Sequence, residues 1–204
     1  LKIVIIDYGL GNLRSVYNAL ISLGAEAKVS ESPADIAKAD KVILPGVGAF
    51  GDAMLGLKKR GLTEAIKKFL STGKVYLGMC LGLQILFEES EEGNSKGLGV
   101  FKGKVKRFRE EDGIKVPHIG WNEVKFKNPN SKSQITDGIK NGAYFYFVHS
   151  YYAAPADESL IAATTDYGVN FTSMIQRDNI YAVQFHPERS QEIGLKFLEN
   201  FIKL

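Results

Sequence analysis

The chain opens on an unbroken apolar run. Every position from Ile3 to Ile6 is apolar, which predicts a strand buried on both faces. The period then changes: Leu13, Val16, Tyr17, Leu20 and Leu23 recur at helical spacing within Asn12 to Leu23, and Gly24 ends that helix. Ala27 to Val29 and Lys41 to Leu44 read as further strands, and helical material is expected from about Asp52 to Leu70. Val75 to Gly78 is another strand, leading into a helix expected from Leu81 to about Glu89. Strands alternating with helices, the strands nearly continuous in apolar character, imply a parallel sheet covered on both faces.

After residue 100 the period is mostly two. Val105 to Phe108, Asn122 to Phe126, Tyr144 to His149, Leu160 to Thr164, Thr172 to Gln176 and Tyr181 to Phe185 are short and rich in β-branched or aromatic residues, as strands are. A closing helix is expected from Ser190 to Lys203, with Ile193, Phe197, Leu198, Phe201 and Ile202 on one face. The polar stretch Lys127 to Ser133, which contains Pro129, is the expected mobile loop. The fold class is therefore α/β: one domain over residues 1–204, its central sheet mostly parallel and flanked by helices, with antiparallel strands in the second half.

Composition narrows the functional classes. With 204 residues, 45% of them hydrophobic, the chain can build one sizeable core. The net charge of +3 comes from 26 basic and 23 acidic residues spread along the sequence. The most basic stretch, Lys102 to Arg109, alternates like a half-exposed strand, so a nucleic-acid partner is not expected. No apolar run could span a bilayer, and the chain opens directly on a strand with no leader-like segment, so no membrane partner is expected either. One cysteine excludes an internal disulfide and points to a reducing, cytoplasmic setting.

That cysteine is Cys80, in Gly78-Met79-Cys80-Leu81-Gly82. A free cysteine is most often a small buried hydrophobe. Here glycines two residues to either side permit a sharp strand-to-helix turn that exposes a nucleophile. The following helix aims its N-terminal N–H groups at the sulfur, and the Leu81 N–H is placed to donate to an oxyanion. Far downstream stands His186-Pro187-Glu188. Pro187 biases His186 toward extended geometry, in which residues i and i+2 point the same way, so Glu188 can orient the imidazole. The loop Pro45-Gly46-Val47-Gly48 is a plain turn or an oxyanion loop at the same sheet edge as Cys80. Gly9-Leu10-Gly11-Asn12-Leu13-Arg14 has Arg14 where a dinucleotide fingerprint needs its third glycine, so no dinucleotide cofactor is expected. No cofactor or metal is implied.

Together these residues resemble a family. Gly78-Met79-Cys80-Leu81-Gly82-Leu83-Gln84 with Phe185-His186-Pro187-Glu188 is similar to the class I, triad-type glutamine amidotransferases, a flavodoxin-like three-layer fold. Within it, Asp7 to Asn12, Pro45 to Phe50, Pro117-His118-Ile119-Gly120-Trp121-Asn122 and Phe147 to Tyr151 resemble the glutaminase subunits of imidazole glycerol phosphate synthases. The resemblance runs from Asp7 to Glu188. It implies Cys80, His186 and Glu188 as a catalytic triad acting on glutamine and Val47, Gly48 and Leu81 as the oxyanion hole. Gly46, Gln84, Glu92, Ser150 and Tyr151 would hold the substrate. It also implies ammonia transfer to a separate (βα)8-barrel cyclase chain in a heterodimer, with Asn12, His118, Trp121, Asn122 and Tyr146 as interface candidates. A glutaminase serving a different synthetase is the alternative. For Glu92 a solvated face, and for Trp121 and Tyr146 ordinary core packing, remain open.

Overall fold

The computed structural model describes residues 1–110, 114–127 and 134–204; most of the expected mobile loop, residues 128–133, lies outside them. The first half builds β1 (Lys2–Ile6), α1 (Leu13–Ser22), β2 (Glu26–Ser30), α2 (Pro33–Lys38), β3 (Lys41–Leu44), α3 (Phe50–Lys59), α4 (Leu62–Leu70) and β4 (Val75–Met79). A short helix α5 (Leu81–Gln84) follows, then β5 (Phe87–Ser90), β6 (Ser95–Lys96), β7 (Phe101–Arg107), β8 (His118–Phe126) and β9 (Ala143–His149). The chain continues through β10 (Tyr151–Pro155), β11 (Ile161–Tyr167), β12 (Val169–Arg177), β13 (Ile180–Val183) and α6 (Gln191–Lys203).

The strands form one sheet in the order β2-β1-β3-β4-β13-β12-β10-β7-β5-β6, with β11, β8 and β9 branching from β12. From β2 to β13 all neighbours are parallel, and β12 then turns antiparallel. Consequently β1, β3, β4 and β13 deliver their carboxyl ends to a single edge, where sheets of this kind place their sites.

Alternation along β1 splits the core in two. Val4 and Ile6 face α2, α3, α4 and α5, packing with Ile36, Phe50, Leu57 and Ile66. Ile3 and Ile5 face α1 and α6, packing with Val16, Leu20, Phe197 and Phe201. Lys41, only 4% exposed, donates from Nζ to the carbonyls of Phe201 (2.9 Å) and Ile202 (2.7 Å), tying the end of α6 to β3.

Several expectations change. The helix expected from Leu81 to Glu89 is a single turn ending at Gln84, followed by strand β5. Leu83, Ile85, Leu86 and Phe87 are all fully buried, so the segment carries no amphipathic period to tell helix from strand. The helical stretch Asp52 to Leu70 is two helices broken at Gly61, whose φ of 68° suits glycine. The short α2 and strand β10 add to the expected elements, and β8 starts at His118 rather than Asn122.

Candidate active site

Cys80 leaves β4 with φ 53° and ψ −107°, a conformation unusual for a residue with a Cβ. Its N–H donates to the Val183 carbonyl at 2.7 Å, pinning the elbow to β13. Neither Gly78 nor Gly82 has positive φ; Cys80 makes the turn itself. The glycines permit close approach instead. A Cβ on Gly82 would overlap the Leu44 carbonyl oxygen, and one on Gly78 would meet the Gly82 carbonyl oxygen at 2.5 Å. Because α5 is one turn long, its dipole contributes little at the sulfur, contrary to the expectation from sequence.

His186 follows β13, and its backbone is fixed by His186 N–H to the Tyr146 carbonyl (2.9 Å) and by the Ser190 hydroxyl donating to the His186 carbonyl (2.6 Å). Nδ1 lies 2.8 Å from Oε1 of Glu188, with both side chains almost fully buried. The two meet through the 3-10 turn Pro187–Arg189 rather than along an extended segment. Burial alone would push the imidazole pKa down. The negative charge of Cys80, together with Glu188, outweighs it and raises the value to about 10. Nε2 is buried, with no hydrogen-bond partner among the described residues.

A cavity of about 430 Å³ brings most of the expected residues together: Cys80, His186, Glu188, Val47, Gly48, Leu81, Gln84, Glu92, Ser150, Tyr151 and Asn12. Gly46, expected to hold the substrate, is buried and does not line the cavity. The Gly46 carbonyl accepts from the Leu81 N–H at 3.4 Å, so the expected oxyanion donor faces a protein oxygen in this conformation. Glu92 borders the cavity and caps α3, its Oε2 accepting from Phe50 N–H at 2.8 Å. Gln84 is buried, and its Nε2 donates to the Tyr151 carbonyl (2.9 Å) and to Oε1 of Gln184 (3.1 Å). What Gln84 offers a substrate is therefore Oε1, an acceptor.

The proposed interface residues divide. Trp121 is exposed and packs edge-on against the half-buried Tyr146 directly opposite on β9; Arg189 lies over the Tyr146 ring, 5.6 Å from its centroid. Asn12 is exposed, and its side chain caps α1 through Ser15 N–H at 3.4 Å. His118 is buried, stacked on Tyr167 and Phe147, so its side chain cannot meet a partner directly. Asn122 is half-buried and donates to the Asp166 carbonyl at 2.9 Å. His149, Gln184 and Arg189 were not singled out from sequence. His149 and Gln184 read as ordinary strand positions, and only a buried polar residue within an apolar strand, Gln184, carried any signal.

A family model for class I glutamine amidotransferase matches residues 4–204. Imidazole glycerol phosphate synthase subunit HisH of Syntrophotalea carbinolica is 50% identical over 205 residues, covering 98% of each chain. The subunit of the same name from Aquifex aeolicus is 51% identical over 203 residues, covering 98% of this chain and 96% of the relative. Among solved structures, PurLQS from Thermotoga maritima superposes with a TM-score of 0.75 at 19% identity, covering 99% of this chain and 97% of that one. A glutamine amidotransferase structure gives 0.73 at 20% identity, covering 97% of this chain and 98% of that one. At these identities the structures speak to the fold. No helix among the described residues is long and apolar enough to cross a membrane.

Proposed function

The chain belongs to the class I glutamine amidotransferase family, and we propose that it is the glutaminase subunit of an imidazole glycerol phosphate synthase, supplying ammonia to a barrel cyclase in histidine biosynthesis. The observation that carries the chemistry is the buried His186–Glu188 pair at 2.8 Å, sharing a cavity with Cys80. The choice among amidotransferases rests on the two bacterial relatives at about half identity over nearly the whole chain. The lone thiol suits a reducing cytoplasm.

The raised imidazole pKa suits His186 to take the Cys80 proton and hold it. The Cys80 sulfur attacks the side-chain carboxamide carbon of glutamine, giving a tetrahedral oxyanion. The imidazolium returns its proton to the departing nitrogen; the C–N bond breaks, ammonia leaves, and a γ-glutamyl thioester remains. Neutral His186 then takes a proton from water, whose oxygen attacks the thioester, and glutamate departs as the thiolate returns. Glu188 fixes the ring tautomer and stabilises its charged form. Glu92 holds the substrate α-amino group, and Ser150 and Tyr151 its α-carboxylate end. The oxyanion hole is completed when a peptide of the Gly46–Gly48 loop turns away from Leu81 N–H and presents a second donor beside it. A partner-free crystal structure already showing both N–H groups aimed at the space beside Cys80 would contradict that step.

The test is made in the complex. Cys80→Ala is expected to abolish glutamine-dependent product formation while ammonia-dependent activity stays within about twofold. No glutamate release by the unmodified chain, with an active cyclase present, would overturn the reading; activity only alongside another synthetase would reassign the partner.

A further inference from the structure

A polar chain runs from the surface strand β8 to the nucleophile. Asn122 Nδ2 contacts His118 Nε2 at 3.3 Å, and His118 Nδ1 contacts His149 Nε2 at 3.0 Å. His149 Nδ1 lies 2.7 Å from the Tyr151 carbonyl oxygen, which also receives Gln84 Nε2. Gln84 Nε2 reaches Gln184 Oε1, and Gln184 Nε2 stands 3.5 Å from Cys80 Sγ, a hydrogen-bond length for sulfur.

The direction of every bond follows from one atom. A main-chain carbonyl can only accept. His149 must therefore carry its proton on Nδ1, which leaves Nε2 as an acceptor, so His118 donates from Nδ1 and accepts from Asn122 at Nε2. For the same reason Gln84 must turn its NH₂, not its oxygen, toward Tyr151. The remaining reach of that NH₂ requires the oxygen of Gln184, and Gln184 is left with only its NH₂ for the sulfur. Gln184 is fully buried, so neither end of its carboxamide can turn to water, and its backbone N–H is held by the Ser173 carbonyl at 2.9 Å.

We infer that Gln184 is a fourth member of the catalytic set: its carboxamide donates to the Cys80 sulfur and stabilises it as the attacking thiolate, locked in donor orientation by Gln84 and the Tyr151 carbonyl. This rests on the glutaminase reading above. His186 supplies charge and a proton; Gln184 supplies a neutral donor that cannot take the sulfur's proton and so persists through both half-reactions. The sulfur is the leaving group of the thioester in the second half, where a donor is again favourable.

The experiment compares wild type, Gln184→Leu and Gln184→Glu in complex with the cyclase. The readouts are the rate of Cys80 alkylation by iodoacetamide, glutaminase kcat and KM. For Gln184→Leu, alkylation at pH 7 and kcat are both expected to fall roughly tenfold or more, the scale of a lost hydrogen bond to a charged group, with KM within about threefold. For Gln184→Glu, an isosteric change, a carboxylate facing the sulfur should slow alkylation at pH 7 further. The rate should recover as pH falls toward 5.5 and the carboxyl gains a proton to donate. A merely structural residue gives no such inverted profile. If both variants fail to fold, the wild type decides: the side-chain amide protons of isotope-labelled Gln184 should shift upfield in Cys80→Ala. Alkylation within twofold of wild type in a folded Gln184→Leu protein, or an unmoved amide signal, overturns the inference. Retained glutaminase activity in Cys80→Ala would instead overturn the reading beneath it.

Discussion

At His186, His118 and His149, burial and charge compete, and the outcome differs by residue. His186 keeps its proton because an anion stands on either side of the ring. Among the described residues no anion faces His118 or His149, and burial holds them neutral down to about 4 and about 3. Long-range ¹H–¹⁵N spectra should show the His186 ring doubly protonated at pH 8 in the wild type. In Cys80→Ser, which removes the neighbouring charge, its pKa should fall by one unit or more. The signs for stability are opposite. Below 6.5 the unfolded chain binds protons at positions 118 and 149 that the native chain refuses, so stability falls with pH. Lowering pH from 6.5 to 5 is expected to cost about 3 kcal/mol across the two, visible as a lower urea midpoint. His186 is protonated in both states at pH 5. Its contribution is complete below 6.5 and is lost as pH rises through about 10.

At the scale of elements, local pattern carried the triad and failed where contacts are distant. His186 and Glu188 are two residues apart, so a short motif contained their meeting, although a 3-10 turn brings it about. The strand-to-helix elbow was legible because glycines flank Cys80, yet the reason for them lay elsewhere: Gly82 allows α5 to rest on the carbonyl end of β3. Gly82→Ala must displace α5 from Leu44, and a loss of roughly 2–4 kcal/mol is expected by thermal melting, with glutaminase activity lost more than proportionally. The polar chain was not legible at all. His118 and His149 are paired across β8 and β9, and Gln84 and Gln184 are a hundred positions apart. No period in sequence records a partner brought in by sheet topology. The true length of helix α5 is hidden for a related reason, since a segment buried on all sides shows no face.

The whole molecule gathers its reactive groups at one sheet edge and sets an aromatic patch beside the opening. Ile119, Trp121 and Tyr144 are 59%, 45% and 58% exposed on β8 and β9. Trp121 packs against Tyr146, which Arg189 covers from the rim of the cavity. Exposed aromatics clustered with an arginine are what a protein interface concentrates its affinity on. Trp121→Ala is expected to weaken cyclase binding by about tenfold or more in titration calorimetry, leaving the melting temperature of the isolated chain nearly unchanged.

The backbone of Cys80 has a consequence for how this protein would evolve or be engineered. Its φ of 53° with ψ of −107° belongs to territory that glycine occupies without strain. At this one position heat resistance and chemistry select different residues. Cys80→Gly is expected to melt above Cys80→Ala, by about 1 kcal/mol in stability, while being equally inert. A library screened for survival at high temperature, with no demand for turnover, would enrich glycine there and purge the thiol.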